Sequence, residues 1–282
     1  MDRCNLIFGI VCYREKYWET QSFKDLIDSF RSYNSHSDLC ICIFDNTDTE
    51  DWGHEDWSLT DSNIRLDYFR DSSNPGIAAA FNHFATVAQS QHIDWIVFLD
   101  QDTSLPLDFY EKYFLQAQKS NSCNLVLPKV YSNSALISPS HYKWYRTSHI
   151  KEPLLEEIEL NSITAINSGL MVKRDFFLKN GGYNKNLRID FCDHEFIERI
   201  NGKGHYASIL DISLQQDFSA ETNDLKKAIF RYKMYVGDLK AYATNKNKFL
   251  FFMRVDLPHL LKLVFKYKSL SFVNIRFNNK TN

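Results

Sequence analysis

Two acids separated by a single residue, Asp100 and Asp102, directly follow an apolar run over residues 93–99 (IDWIVFL). A run so short, rich in β-branched and aromatic residues, reads as a central strand of an α/β sheet. Ligands of open α/β sheets bind just beyond the carboxyl ends of the strands. Carboxylates on alternate positions there can hold a hard divalent cation and leave its other sites to substrate oxygens. That suits chemistry at a diphosphate, although two solvated acids in a turn would show the same pattern. A third acid, Asp45, ends another apolar run over residues 39–44 (LCICIF), with an ordinary turn residue as its plain alternative. A fourth group, Asp190-Phe191-Cys192-Asp193-His194-Glu195, opens a periodic stretch over 193–201. Asp193 there falls near a helix N-cap, which favours Asp for structural reasons alone, and the helix dipole favours negative charge on it.

The elements that must position these acids follow from periodicity. Strands are expected over 5–12, 39–44, 64–69, 93–99 and 125–131, and a sheet segment over 163–172 broken by Asn167-Ser168-Gly169. Two last strand pieces fall at 206–210 and 211–214, and helices at 19–33, 77–91, 108–120, 175–178, 193–201 and 222–244. Residues 47–62, with Trp52 and Trp57 between acids, read as a loop. Asn74-Pro75-Gly76 is a turn, and the small residues after it let a helix approach the sheet or a phosphate closely. Residues 132–161 are the least regular part and read as a functional loop or lid. Its Tyr142, Trp144 and Tyr145 could stack on a sugar or form a local apolar cluster, while His141 and His149 are too isolated for a metal pair.

With 282 residues, 44% hydrophobic and 24% charged, the chain is long enough for one large or two closely packed units. The net charge of −2 is unevenly spread: from Lys246 onward eight Lys or Arg face one acid, Asp256. That tail carries +7 and leaves −9 on the rest, which argues for two surfaces with different partners. Its Phe and Leu clusters over 248–277, interleaved with basic residues, suggest an interfacial helix on an anionic leaflet. The plain alternative is a packed terminal helix, and dimerisation could use the same face. The cysteines, at 4, 12, 40, 42, 123 and 192, include no Cys-x-x-Cys pair and read as buried hydrophobes in a reducing compartment. No leader and no spanning helix are expected.

Taken in order, Asp45, Asn74-Pro75-Gly76 with Ala78, Ala80 and Asn82, Leu99-Asp100-Gln101-Asp102, Ser168-Gly169 and Asp193-His194-Glu195 resemble glycosyltransferase family 2 over residues 5–220. The resemblance implies the GT-A fold: an α/β nucleotide-binding domain with a mixed, mostly parallel sheet flanked by helices. It divides the chain into residues 1–220 (donor half about 1–103, acceptor half about 104–220) and a helical C-terminal extension, 221–282. Within the family, Asp-Gln-Asp followed by Thr103 is most similar to bacterial rhamnosyltransferases of cell-surface polysaccharide synthesis. Relatives that transfer galactose, galactofuranose or glucose from UDP-sugars share most of the set and form the alternative.

By that resemblance, Val11, Tyr13 and Asp45 hold the nucleotide base. Gly76, Ala80 and Asn82 pass beside base, ribose and pyrophosphate, and Asp100 lies near the ribose. Asp102 is the ligand of Mg²⁺ or Mn²⁺, and Asp193 is the general base. Glu195 orients the acceptor or supports Asp193, with Asp190 in reserve as the base. Many relatives complete the metal site with a His after the last core strand; here residues 214–218 read LQQDF, so Gln216 or Asp217 would have to substitute. The implied reaction inverts the anomeric centre, turning dTDP-β-L-rhamnose into an α-rhamnoside on a polyprenyl diphosphate-linked glycan of O-antigen or capsule. Such an enzyme is cytoplasmic and peripheral to the inner face of the cell membrane.

Rival readings have less support. A nucleotidyltransferase would want a Gly-rich basic loop after the first strand, and residues 9–14 hold one Gly. No Gly-x-Gly-x-x-Gly marks a Rossmann dehydrogenase. A non-catalytic nucleotide-sugar-binding protein would not need both Asp102 and Asp193. An acidic body with an apolar basic tail does not suit nucleic acid.

Overall fold

A computed structural model describes residues 5–33, 37–49, 63–119, 123–151, 156–201, 204–216 and 223–278. Cys4, Trp52, Trp57 and Asp217 lie outside the described residues, as does the 220/221 boundary. The elements run β1 (Leu6–Cys12), α1 (Gln21–Ser32), β2 (Leu39–Asp45), β3 (Ile64–Arg70), α2 (Ile77–Ser90), β4 (Trp95–Asp100) and β5 (Thr103–Ser104). Next come α3 (Phe109–Gln118), β6 (Leu125–Ser132), β7 (Ala135–Ser138), β8 (Ser140–Lys143), β9 (Arg146–His149), β10 (Glu157–Glu159) and β11 (Ile163–Thr164). The chain continues through β12 (Met171–Lys173), α4 (Arg174–Lys179), α5 (Cys192–Ile200), β13 (Tyr206–Gln216) and α6 (Leu225–Tyr242). It closes with α7 (Lys248–Phe251), a π-helical turn (Phe252–Asp256), α8 (Leu257–Tyr267) and α9 (Ser271–Asn278).

The main sheet has the order β10-β13-β6-β12-β4-β1-β2-β3. Its half formed by β3, β2, β1 and β4 is parallel, and β12 joins both β4 and β6 antiparallel. Each central strand buries both faces, as its unbroken apolar run requires. On β1, Ile7 and Val11 face one apolar cluster with Phe81 and Phe84 of α2; Phe8 and Ile10 face the other, with α1 and α3. Ala78, Ala80, Ala85 and Ala88 are buried against the sheet, so the small residues of α2 serve close packing. Gly9 makes room for Phe84: a Cβ there would lie 2.2 Å from its Cδ2.

The 132–161 segment is more regular in its described residues than its sequence suggests. It contains β7 to β10, and β8, β9 and β11 form a small second sheet. Two tight turns make this regular: Asn133 and Ser134 join β6 to β7, and Trp144 and Tyr145 join β8 to β9, all four at positive φ. Two-residue turns of that kind match strand twist but ordinarily carry Asn or Gly, so Trp-Tyr gave no turn signal. The 163–172 segment splits into β11 and β12, in different sheets, while 206–216 is one strand with a register shift between Ile209 and Ser213. The C-terminal stretch is three short helices rather than one, with Lys268 in the left-handed region between α8 and α9. No helix among the described residues is long and apolar enough to cross a membrane. Leu239, Tyr242 and Phe251 of the extension join the same apolar cluster as α2 and α5, and Ala228, Tyr232, Val236, Leu260, Phe272 and Ile275 build a smaller core of their own.

Candidate active site

The carboxyl ends of β1, β2 and β4 lie side by side, as the parallel pairing Val11↔Asp100 and Cys12↔Asp45 demands. The turn Asp100-Gln101-Asp102 is pinned from three sides. Tyr13 N donates to Gln101 Oε1 (2.7 Å), and Gln101 Nε2 donates to Glu15 Oε2 (2.8 Å). Ser22, at the start of α1, donates its hydroxyl to the Asp100 carbonyl and its backbone N–H to the Gln101 carbonyl (3.2 Å). Gln101 is therefore a strut between the loop after β1 and the loop after β4.

Gln216, at the end of β13, ties the acids to the sheet. Its Nε2 donates to Asp102 Oδ1 (2.7 Å), and its Oε1 accepts from Thr103 Oγ1 (2.6 Å). Ser168 Oγ donates to Asp100 Oδ2 (2.7 Å) and lies 3.0 Å from the same Gln216 oxygen. Burial raises the Asp100 carboxyl to about 6; the Ser168 hydrogen bond opposes this, and the charges of Asp102 and Asp193 reinforce it. Gln216 Nε2 occupies one Asp102 oxygen, and the other could serve a hard cation. Among the described residues no three His, Cys, Asp or Glu gather as ligands, so a cation here would rest on Asp102 and on oxygens from outside the chain.

Asp45 is buried, with Oδ1 accepting from Thr47 N (2.8 Å) and Oδ2 from Tyr68 Oη (2.9 Å). Its neighbour Asn46 is buried too, and its Oδ1 meets no partner. Gly76 adopts φ 97° ahead of α2, and a Cβ there would lie 2.2 Å from the Arg188 carbonyl, which Ile77 N approaches to 2.6 Å. Ala80 is fully buried in the core. Asn82 uses its whole amide on Tyr183, donating to the carbonyl and accepting from the N–H, both 2.8 Å.

Asp193 lies in the first turn of α5, two residues past the N-cap, which is Phe191 in the left-handed region. Its side chain is 14% exposed and Oδ1 accepts from His194 N (2.7 Å). His194 Nδ1 in turn lies 2.5 Å from Thr164 Oγ1 of β11. Glu195 pairs with Arg199 (2.9 and 3.0 Å), whose guanidinium also reaches the Asn180 and Gly182 carbonyls. Asp190 is held bidentately by Arg231 of α6 (2.6 and 2.7 Å). The residue that sequence reasoning missed is Asp238, also on α6 and 2% exposed. Its carboxylate accepts from the N–H groups of Arg188 (2.9 Å), Ile189 and Asp190 (both 2.8 Å), fixing the segment that leads into α5. Its signal was present: Asp238 is the one acid in an otherwise basic and apolar α6.

Parallel strands that end on acids, an antiparallel β12, and a helix with acids in its first turn define the class: a GT-A-like α/β fold. The Glycosyl transferase family 2 model matches residues 8–179, and the chain belongs to that family, a family of enzymes. None of the curated proteins matches in sequence. Among solved structures, the mannosyltransferase PcManGT from Pyrobaculum calidifontis, in complex with GDP-Man and Mn²⁺, is similar at TM-score 0.55 and 13% identity, covering 97% of this chain and 74% of that one. S. aureus TarS 1-349 in complex with UDP is similar at 0.53 and 11%, covering 96% and 80%. GalNAc-T7 with UDP, GalNAc and Mn²⁺ is similar at 0.53 and 13%, covering 92% and 58%. The chain thus spans little more than half of GalNAc-T7 and 49% of the longer TarS structure.

Proposed function

We propose that this chain is an inverting glycosyltransferase that moves a sugar from a nucleoside diphosphate donor, UDP-linked in the first instance, to a hydroxyl of a glycan. The observation that carries the reading is that Asp102, braced by Gln216, and Asp193, in the first turn of α5, both lie close enough to the buried Asp100 at the end of β4 to raise its carboxyl. The structural neighbours that hold UDP, or GDP-Man with Mn²⁺, support a nucleotide-sugar donor, and none of those three is named a rhamnosyltransferase. The Asp-Gln-Asp-Thr pattern that pointed to dTDP-rhamnose has a local explanation in this chain. Gln101 braces the β1 loop and Thr103 bonds Gln216, so neither needs to select a donor.

Mg²⁺ or Mn²⁺ on Asp102 would offset charge on the departing diphosphate. Asp193 accepts the proton of the attacking hydroxyl, and Asp238 of α6 holds the 188–190 segment that leads into its helix. Asp45 and Asn46, with the backbone of Val11 and Tyr13, line the base side. The acceptor is a glycan on a polyprenyl diphosphate in cell-surface polysaccharide synthesis, met at an anionic membrane through the 248–277 face. Exposed Phe249, Phe265 and Leu270 beside Lys248, Lys266 and Lys268 support that contact.

The stereochemical course tests the mechanism. Donor turnover with Mn²⁺, followed by NMR, is expected to release sugar whose first-formed anomer is inverted relative to the donor. Asp193→Asn is expected to slow it by about 10²–10⁴-fold with donor binding kept. Retention of configuration would overturn the single-displacement reading.

A further inference from the structure

Arg188, in the segment that leads into α5, is exposed, and two contacts fasten it to the turn before α2. Its carbonyl accepts from Ile77 N (2.6 Å), and its guanidinium Nη2 donates to the Asn74 carbonyl. The two pieces of chain run hard against each other there, since a Cβ on Gly76 would lie 2.2 Å from the Arg188 carbonyl. Asp238 accepts from the Arg188 N–H as well, but the contacts with Asn74 and Ile77 clamp the residue to the turn without it. The side chain also comes near the loop after β1. Burial raises the Tyr13 phenol above its ordinary range, while the charges of Arg14 and, more weakly, Arg188 oppose this. Tyr13 N in turn holds Gln101, between Asp100 and Asp102 (2.7 Å). Arg188 thus stands where the β1 loop, the 74–77 turn and the approach to Asp193 meet.

That end of the sheet is acidic: Asp45 and Asp100 close their strands, Asp102 follows, and Asp193 lies in the first turn of α5. A nucleoside diphosphate entering there adds further negative charge, and one divalent ion on Asp102 would offset only part of the total. Other arginines around the site are committed to carboxylates. Arg14 grips Asp48 through two N–H groups (both 3.1 Å), Arg199 pairs with Glu195 (2.9 Å) and Arg231 with Asp190 (2.6 Å). Arg188 pairs with no carboxylate among the described residues, and its guanidinium has no partner there besides the Asn74 carbonyl. A guanidinium has five N–H donors in a planar fork that matches phosphate oxygens, so most of its donors stay available for an anion.

We infer that Arg188 is a donor-binding residue, its guanidinium taking phosphate oxygens of the nucleoside diphosphate from beside the 74–77 turn. This rests on the transferase reading above and adds to it a phosphate contact supplied by the chain itself. The contact is to the phosphates and not to the base, so it bears on affinity for every nucleoside diphosphate alike.

Calorimetry on the full chain with Mn²⁺ tests this. UDP, GDP and dTDP are titrated into wild type, R188Q and R188K. Uridine, guanosine and thymidine, the same ligands without phosphate, are measured by displacement of the nucleotide. For whichever nucleotide the wild type binds, R188Q is expected to weaken affinity by about tenfold or more. R188K, which keeps the charge and loses the fork, is expected to weaken it less. The affinity of the matching nucleoside is expected to be unchanged, and the nucleotide loss to shrink as salt rises, as for an exposed charge contact. Unchanged nucleotide affinity in R188Q, or an equal loss for nucleoside and nucleotide, would overturn the assignment and leave the donor site standing. Binding of none of the three nucleotides by folded wild-type protein would overturn the transferase reading and this assignment with it.

Discussion

At the scale of single residues, Gln216 ends β13 and ties the acids of the β4 turn to the sheet. It serves four neighbours at once: Asp102, Thr103, Ser168 and, through Ser168, Asp100. Replacing it with Ala leaves the buried Thr103 hydroxyl short of an acceptor and Asp102 short of a donor, at a cost of about 1–3 kcal/mol, readable as a lower urea midpoint with an unchanged slope. Metal-dependent donor binding is expected to weaken in the same variant, because Asp102 loses the partner that orients it. Sequence reasoning reached both Gln216 and Asp102, since a strand end is legible from the apolar run before it. It did not reach the bond between them, because β13 and the β4 turn are 114 residues apart. The roles of Asp193, Glu195 and Asp190 came from the resemblance; the Glu195–Arg199 pair lies within one helix, at i,i+4, whereas the Asp190–Arg231 pair spans 41 residues and only tertiary structure reveals it.

At the scale of elements, α6 is joined to the site more closely than its place beyond the family match suggests. Asp238 gathers three consecutive backbone N–H groups, and Arg231 holds Asp190, so α6 sets the path of 188–190 into α5. The Asp238→Ala variant strands those buried donors, at about 1–3 kcal/mol for each group left unsatisfied. The expected result is a lowered kcat with a donor Kd close to that of the wild type, measured on protein whose circular dichroism is native. A loss confined to donor affinity would contradict this role. The central strands and α1, α2 and α3 were legible because their periodicity is undiluted by function. The β8–β9 hairpin was not, because its strands are exposed and polar and its turn is Trp-Tyr.

At the scale of the whole molecule, the acidic body and the +7 tail are separate surfaces of one fold, with the tail's exposed Phe, Leu and Lys side chains on α7 to α9. Cosedimentation is expected with vesicles containing phosphatidylglycerol and not with neutral ones, and to fall as salt rises past the Debye range. Binding to neither, with a dimer in sedimentation equilibrium, would assign that face to a second copy instead. The fold class and the family were legible in the order of the motifs, each of which is weak alone; the donor reading rested on Gln101 and Thr103, whose side chains make internal hydrogen bonds.

The account turns on a nucleotide-sugar site built around Asp102. The most direct measurement is calorimetric titration of wild type and Asp102→Ala with UDP-galactose, UDP-glucose, UDP-N-acetylglucosamine, GDP-mannose and dTDP-rhamnose, each with Mn²⁺ and with EDTA. The predicted result is selective binding of a UDP-sugar that needs the metal and weakens by about tenfold or more, 1.4 kcal/mol, in the variant. Preference for dTDP-rhamnose would keep the site and restore the rhamnosyl donor. Binding of none of the five by folded protein, or binding indifferent to both metal and Asp102, would contradict the account.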